Sequence, residues 1–233
     1  MLALLHGLLS LTFPVDCLAC GEIALSGAFC PVCGALVEPR PGPNCAICDG
    51  AVALGEGECL RCMAHPPPYE RAWGVFDYVG PAGDAIRAGK YHGRPEALPA
   101  VAKALVAHLP SELRADPPHA VVAVPLHPKR AAEQRAPQVL AIAVAKALGR
   151  PCRTQTIVRV RETRAQAGLS ERDRQRNVAG AFGPGPAIPP PDVLLVDDVL
   201  TTGATVRAAT EALMRSGAVR VRVLAATLSE RAL

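Results

Sequence analysis

Val193-Leu194-Leu195-Val196-Asp197-Asp198-Val199-Leu200-Thr201-Thr202-Gly203-Ala204-Thr205 decides how this chain is read. Four consecutive apolar residues predict a strand covered on both faces, as in a parallel sheet, and ligands of such sheets sit beyond the carboxyl ends of the strands. Asp197 and Asp198 are expected at that end. The small, hydroxyl-rich segment Thr201, Thr202, Gly203, Ala204 and Thr205 can turn N–H groups and hydroxyls toward one anion, with the positive end of the following helix behind them. Gly203 allows a close backbone approach. Paired carboxylates suit neighbouring sugar hydroxyls, directly or through a divalent cation. No lysine precedes the Ser/Thr position as a Walker loop requires. The reading is a sugar-phosphate site.

In its order of apolar run, acidic pair and Thr-Thr-Gly-Ala-Thr, the stretch resembles the phosphoribosyl-pyrophosphate (PRPP) motif of type I phosphoribosyltransferases.

The chain has 233 residues, half of them hydrophobic, enough for one medium domain and a small appendage. Aromatic residues make up 3%, so platforms for stacking bases are scarce. The formal charge of +4 is unevenly spread. Residues 1–66 hold two basic against six acidic side chains, a net −4, which leaves +8 for the remainder. A footprint for phosphorylated ligands or nucleic acid therefore belongs on the second part.

Eight of nine cysteines form four Cys-x-x-Cys pairs: Cys17/Cys20, Cys30/Cys33, Cys45/Cys48 and Cys59/Cys62. Two such knuckles complete a closed tetrahedral four-thiolate zinc site, so eight ligands predict two structural zinc ions. Sequential pairing closes short loops of similar length, and interleaved pairing is the alternative. A ribbon that reads DNA would be basic, whereas this one is acidic. Met1 to Phe13 is apolar without a basic start and too short to span a membrane, so a cytoplasmic location with no membrane span is expected. Leu2, Leu5, Leu8 and Leu9 recur with helical spacing and predict a short amphipathic helix. Cys152 reads as a small buried residue and His65 as a loop histidine.

Pro66-Pro67-Pro68 divides the chain, with a helix and double zinc ribbon over 1–66 and a phosphoribosyltransferase-like domain over 67–233. Strands are expected around 73–78, 119–124, 156–160, 178–182, 193–196 and 220–226. Helices are expected over 82–88, 96–109, 136–148 and 204–216. This alternation predicts an α/β fold with a parallel sheet covered by helices.

Knuckles leading into a PRPP motif resemble the ComF family of competence-associated proteins and the related GntX-type proteins, over nearly the whole chain. The similarity extends to Ala85-Ile86-Arg87-Ala88-Gly89-Lys90-Tyr91-His92-Gly93, to Val122-Ala123-Val124-Pro125-Leu126-His127-Pro128-Lys129-Arg130, and to Arg161-Glu162-Thr163-Arg164-Ala165-Gln166 with Arg176, Asn177 and Phe182. The resemblance implies that Pro125, Leu126, Lys129 and Arg130 form a pyrophosphate loop. It also implies that the arginine-rich stretch 161–176, with Arg161, Arg164 and Gln166, is a loop that closes over substrate. One departure stands out: where the family commonly has Arg-Gly-Phe-Asn-Gln, this chain has Gln134-Arg135-Ala136-Pro137-Gln138.

Taken together, the expected ligand is PRPP or a related ribose phosphate with magnesium. Its 5′-phosphate would lie on Thr201 to Thr205 beside Val199, its ribose hydroxyls at Asp197 and Asp198, and its pyrophosphate at Lys129 and Arg130. The expected activity is phosphoribosyl transfer to an unspecified acceptor, with catalysis carried by Asp197, Asp198, Lys129 and Arg130, in DNA uptake or in nucleotide metabolism. The alternative is a non-catalytic PRPP- or nucleotide-binding module that meets single-stranded DNA or a competence helicase.

Overall fold

The structure is a computed structural model that describes residues 15–24, 27–52, 57–126, 135–161 and 178–229. The leading apolar segment, His127, Lys129, Arg130, Arg164, Gln166 and the other arginine-rich positions of 162–177 lie outside the described residues.

The cysteine-rich part contributes short elements: β1 (Val15–Asp16) paired antiparallel with β2 (Ile23–Ala24), α1 (Pro31–Ala35) and α2 (Leu60–Ala64). Next come β3 (Arg71–Asp77), α3 (Pro81–Tyr91), α4 (Ala97–Ala107), α5 (Ser111–Ala115), β4 (Ala120–Ala123) and α6 (Ala136–Leu148). The chain continues with β5 (Ile157–Arg159), β6 (Phe182–Pro184), β7 (Asp192–Leu200), α7 (Ala204–Arg215) and β8 (Arg220–Leu228). Four strands form one parallel sheet in the order β3-β8-β7-β4.

Side chains alternate across a strand, so the central strands feed two separate cores. Leu194, Val196, Val121, Ala123 and Leu224 pack with Ile86, Val101, Leu105, Leu140 and Val144 from α3, α4 and α6. Val193, Leu195, Val122, Val223 and Ala225 pack on the other face with Val206, Ala209 and Leu213 of α7 and with Ile157 and Phe182. Helices thus cover both faces, which is the expected α/β architecture and explains why β7 reads as an uninterrupted apolar run.

Two expectations change in detail. The 156–160 and 178–182 segments do not extend the parallel sheet. β5 and β6 form their own antiparallel pair, and the second strand begins only at Phe182, because Gly180 takes φ +65 and turns the chain first. At the family's glycine position Arg135 has φ −83 and directly precedes α6, whose first turn contains Pro137. An ordinary backbone angle there removes any need for glycine.

Both edges of the sheet are covered. On β3, Ile47 O accepts from Ala72 N at 2.7 Å, Asp49 Oδ2 accepts from Gly74 N at 2.8 Å, and Val75 O accepts from Arg40 N at 2.8 Å. The cysteine-rich part therefore pairs off an edge that would otherwise present free backbone groups. On β4, Val121 N donates to Pro151 O and its carbonyl accepts from Arg153 N.

Candidate functional site

β7 delivers the acidic pair, but extends further than expected. The strand runs on to Leu200, so Asp197 and Asp198 lie within its last four residues rather than beyond its end. Their hydrogen bonding continues as strand, and both are buried. Alternation assigns Asp198, with Leu194 and Val196, to the face packed by α3, and Asp197, with Val193 and Leu195, to the face packed by α7.

Burial sets the electrostatics. Desolvation, and then the neighbouring Asp198 charge, push the Asp197 carboxyl up to about 8, although its Oδ1 accepts from Asp198 N at 2.9 Å. Asp198 is held differently. Its Oδ1 accepts from Val199 N at 3.1 Å, and Lys90 Nζ lies 2.6 Å from its Oδ2. Burial works against the Lys90 ammonium, yet the Asp198 carboxylate more than offsets this and holds the lysine above its ordinary range. Thr227 at the end of β8 donates its hydroxyl to Asp198 O at 3.1 Å, bracing the strand end from the other side.

The hydroxyl-rich segment follows directly. Gly203 adopts φ +75 and ψ 0 as the residue capping α7, a left-handed conformation that glycine takes without steric cost. Ala204 N reaches Thr202 Oγ1 at 3.4 Å. The loop leads into the N-terminal end of α7, where the helix dipole is positive. Pro125 and Leu126 leave β4 beside it, where Val124 N donates to Val196 O at 2.9 Å one residue before Asp197. Thus Asp197, Asp198, Val199, Thr201 to Thr205, Pro125 and Leu126 meet at one end of the sheet. Arg161 Nη2 donates to Ala179 O at 2.7 Å, and Ala179 lines a cleft together with Thr202 and Ala204.

The cysteines fall into two clusters, Cys17/Cys20/Cys30/Cys33 and Cys45/Cys48/Cys59/Cys62, with all four sulfurs of each within 4.8 Å of one another. Pairing is therefore sequential. Cys20 Sγ and Cys30 Sγ are 3.8 Å apart, and Cys48 Sγ and Cys59 Sγ 3.6 Å, close to the ~3.8 Å edge of a tetrahedron built on ~2.3 Å zinc–sulfur bonds. Backbone N–H groups point at the sulfurs: Cys33 N at 3.4 Å from Cys30 Sγ and Cys59 N at 3.2 Å from Cys45 Sγ. Burial and then neighbouring thiols push Cys33 and Cys62 far up, so four thiolates in either cluster need a cation among them. The donor sets fit two zinc ions.

Several contacts join the second cluster to α7 and the loop before it. Arg61, next to Cys62, donates to Thr202 O at 3.4 Å, and Arg207 of α7 donates to His65 O and to Pro66 O, the latter at 3.2 Å. Arg61, His65, Tyr69, Thr202, Ala204 and Arg207 line a cleft of about 580 Å³. Sequence reasoning assigned no role to Lys90, Arg61, Tyr69 or Arg207. Lys90 carried a signal, a lone lysine after a glycine in the 85–93 stretch just beyond the helix expected over 82–88, but its carboxylate partner is 108 residues away.

No family model matches the chain. It is 35% identical over 224 residues to the DNA utilization protein YhgH of Salmonella typhi, covering 91% of this chain and 96% of that protein. It is 26% identical over 189 residues to Competence protein F of Haemophilus influenzae, covering 78% and 82%. Among solved structures it is similar to adenine phosphoribosyltransferase from Leishmania tarentolae, at 18% identity and a TM-score of 0.36 over 63% of this chain and 76% of that one. With a helix-covered parallel sheet, two four-cysteine clusters and relatives aligned over almost their full length, the chain belongs to the ComF/YhgH family.

Proposed function

We propose that the chain binds PRPP together with magnesium and acts as a phosphoribosyltransferase-type protein. The observation that carries this reading is the convergence, at one end of the sheet, of a buried acidic pair and a threonine-rich loop turning into a helix through Gly203. The loop's N–H groups, its hydroxyls and the helix end suit the 5′-phosphate. Asp197 and Asp198 suit the ribose hydroxyls, and the carboxylate of Asp198 is a hard oxygen donor that fits magnesium. When bound, magnesium would neutralise charge on the leaving pyrophosphate. Lys129 and Arg130 would add cationic charge from the loop that follows Leu126, and Arg164 and Gln166 would come from the covering loop. Displacement at the anomeric carbon builds positive charge on the sugar, so positioning and neutralisation of the leaving group would dominate the rate.

A second reading, a non-catalytic PRPP- or nucleotide-binding module acting with single-stranded DNA or a helicase-like partner, is favoured by the relatives named for DNA utilization and competence and by the basic second part.

Calorimetric titration of the purified protein with PRPP and magnesium tests the common core of both readings. Binding that is lost in Asp197→Asn/Asp198→Asn is the expected result, and absence of binding, or indifference to that change, overturns it. Pyrophosphate release in the presence of candidate nucleobases then separates an enzyme from a binding module.

A further inference from the structure

Lys90 is the cation nearest the acidic pair among the described contacts, and it is held there by construction. α3 sits unusually close to its neighbours: a Cβ on Gly83 would lie 1.9 Å from Tyr78 O, and one on Gly89 2.7 Å from the Leu98 side chain. That packing fixes the first turn of α3 against the segment leaving β3 and its last turn against α4. From there Lys90 reaches Asp198 Oδ2 at 2.6 Å with 17% and 8% of the two side chains exposed, so the pair is largely out of water. Its Nζ also lies 5.5 Å from the ring centroid of Tyr91, a residue 60% exposed at the rim.

The charge balance of this end follows. The Lys90 ammonium lies against the Asp198 carboxylate in a largely dry site and offsets its charge. A divalent cation entering alone would displace the ammonium from Asp198, its ion-pair partner among the described residues, and bring surplus positive charge into a desolvated site. A polyphosphate reverses the balance, since it supplies several negative charges and gives the lysine an alternative partner; ammonium groups bind phosphate oxygens well as point charges.

We propose that Lys90 guards Asp198 against divalent cations, so that the ligand-free site takes up no metal and admits the cation only with a phosphate-rich ligand that draws the lysine away. Its significance for PRPP rests on the function proposed above, but the competition between Lys90 and a cation for Asp198 does not. Lys90 is in this sense a positioning residue that sets the order of binding.

The test uses full-length, zinc-loaded protein without nucleotide, titrated with Mn²⁺, whose free form is read by electron paramagnetic resonance. Manganese prefers oxygen donors and leaves the thiolate sites alone. Wild type is expected to show no manganese site in the submillimolar range. Lys90→Met should bind at least roughly tenfold more tightly, the size expected from removing a unit charge a few ångströms away. The gain should vanish in Lys90→Met/Asp198→Asn, and Lys90→Arg should exclude manganese as wild type does. Circular dichroism and zinc content report whether each variant is folded, and Lys90→Gln replaces Lys90→Met if the latter is not. Tight manganese binding by ligand-free wild type overturns the proposal, as does a Lys90→Met gain that survives loss of Asp198. If PRPP and magnesium fail to bind wild type, the functional reading falls, while the manganese titration still decides the role of Lys90.

Discussion

The backbone N–H of Asp198 donates to Oδ1 of Asp197 at 2.9 Å, tying one carboxyl group to the peptide that carries the next. This bond favours an ionised Asp197, yet burial and the Asp198 charge prevail and raise it to about 8. The unfolded side chain titrates near 4. The folded state therefore holds a proton that the unfolded state has released, and this contribution is fully present below about pH 4 and lost as pH rises through about 8.

Asp197→Asn mimics the protonated form and should remove that slope. Its melting temperature should exceed that of wild type by more at pH 8 than at pH 5, the difference bounded by about 1.4 kcal/mol per pH unit of the window. Thermal melts at the two pH values check this, and an equal offset at both would show that Asp197 is ionised throughout.

Removing zinc should act on the sheet as well as on the ribbon. Chelation should loosen the loop between Cys45 and Cys62, in which Ile47 and Asp49 accept the outward N–H groups of Ala72 and Gly74. Hydrogen exchange of the 71–77 segment should accelerate when a chelator is added, with metal analysis showing about two zinc ions per chain beforehand. Unchanged protection of that edge would mean the ribbon keeps its place without metal.

At the opposite end of β7 lies a separate charge cluster. Asp192 Oδ2 accepts from Arg220 Nη2 at 2.6 Å and from Arg222 Nη2 at 3.0 Å, and Arg222 is almost fully buried. Asp192→Ala leaves that guanidinium, among the described residues, only the more distant carboxylate of Asp116, 3.5 Å from its Nη1, and should cost about 3 kcal/mol in urea unfolding. Six residues of strand, about 20 Å, separate it from Asp198. PRPP affinity of the folded variant should therefore match wild type.

Gly203→Ala would force a Cβ into φ +75, at a cost of about 1–2 kcal/mol. Because the strain falls on the loop proposed to hold the 5′-phosphate, PRPP affinity should drop by roughly tenfold, equivalent to ~1.4 kcal/mol. Gly203→Asn should be milder than Gly203→Ala, since asparagine tolerates the left-handed region. Binding titrations of the two variants check the order.

How much of this was legible depended on the range of the interaction. The strand over 193–196, the helix after Gly203 and the cysteine spacing are local patterns, written within a dozen residues, and the structure shows each of them, with the strand running on to Leu200. The strand assignment over 178–182 failed because short apolar segments carry little periodicity, and the turn at Gly180 outweighed it. Zinc pairing was open because Cys-x-x-Cys spacing fits sequential and interleaved arrangements alike; only the positions of the sulfurs resolved it.

By itself, the sequence around Asp197 to Thr205 determined a strand end bearing two carboxylates followed by a hydroxyl-rich, glycine-opened helix start, because strand period, glycine and hydroxyl content act over neighbouring residues. The tertiary structure decided what those carboxylates face. Lys90 meets Asp198 across 108 residues, and the second cysteine cluster meets Thr202 and Arg207 across about 140, because helix packing and edge pairing bring distant segments into van der Waals contact. Burial at that junction, a property of the folded whole, is what leaves one carboxyl protonated and the other paired with an ammonium.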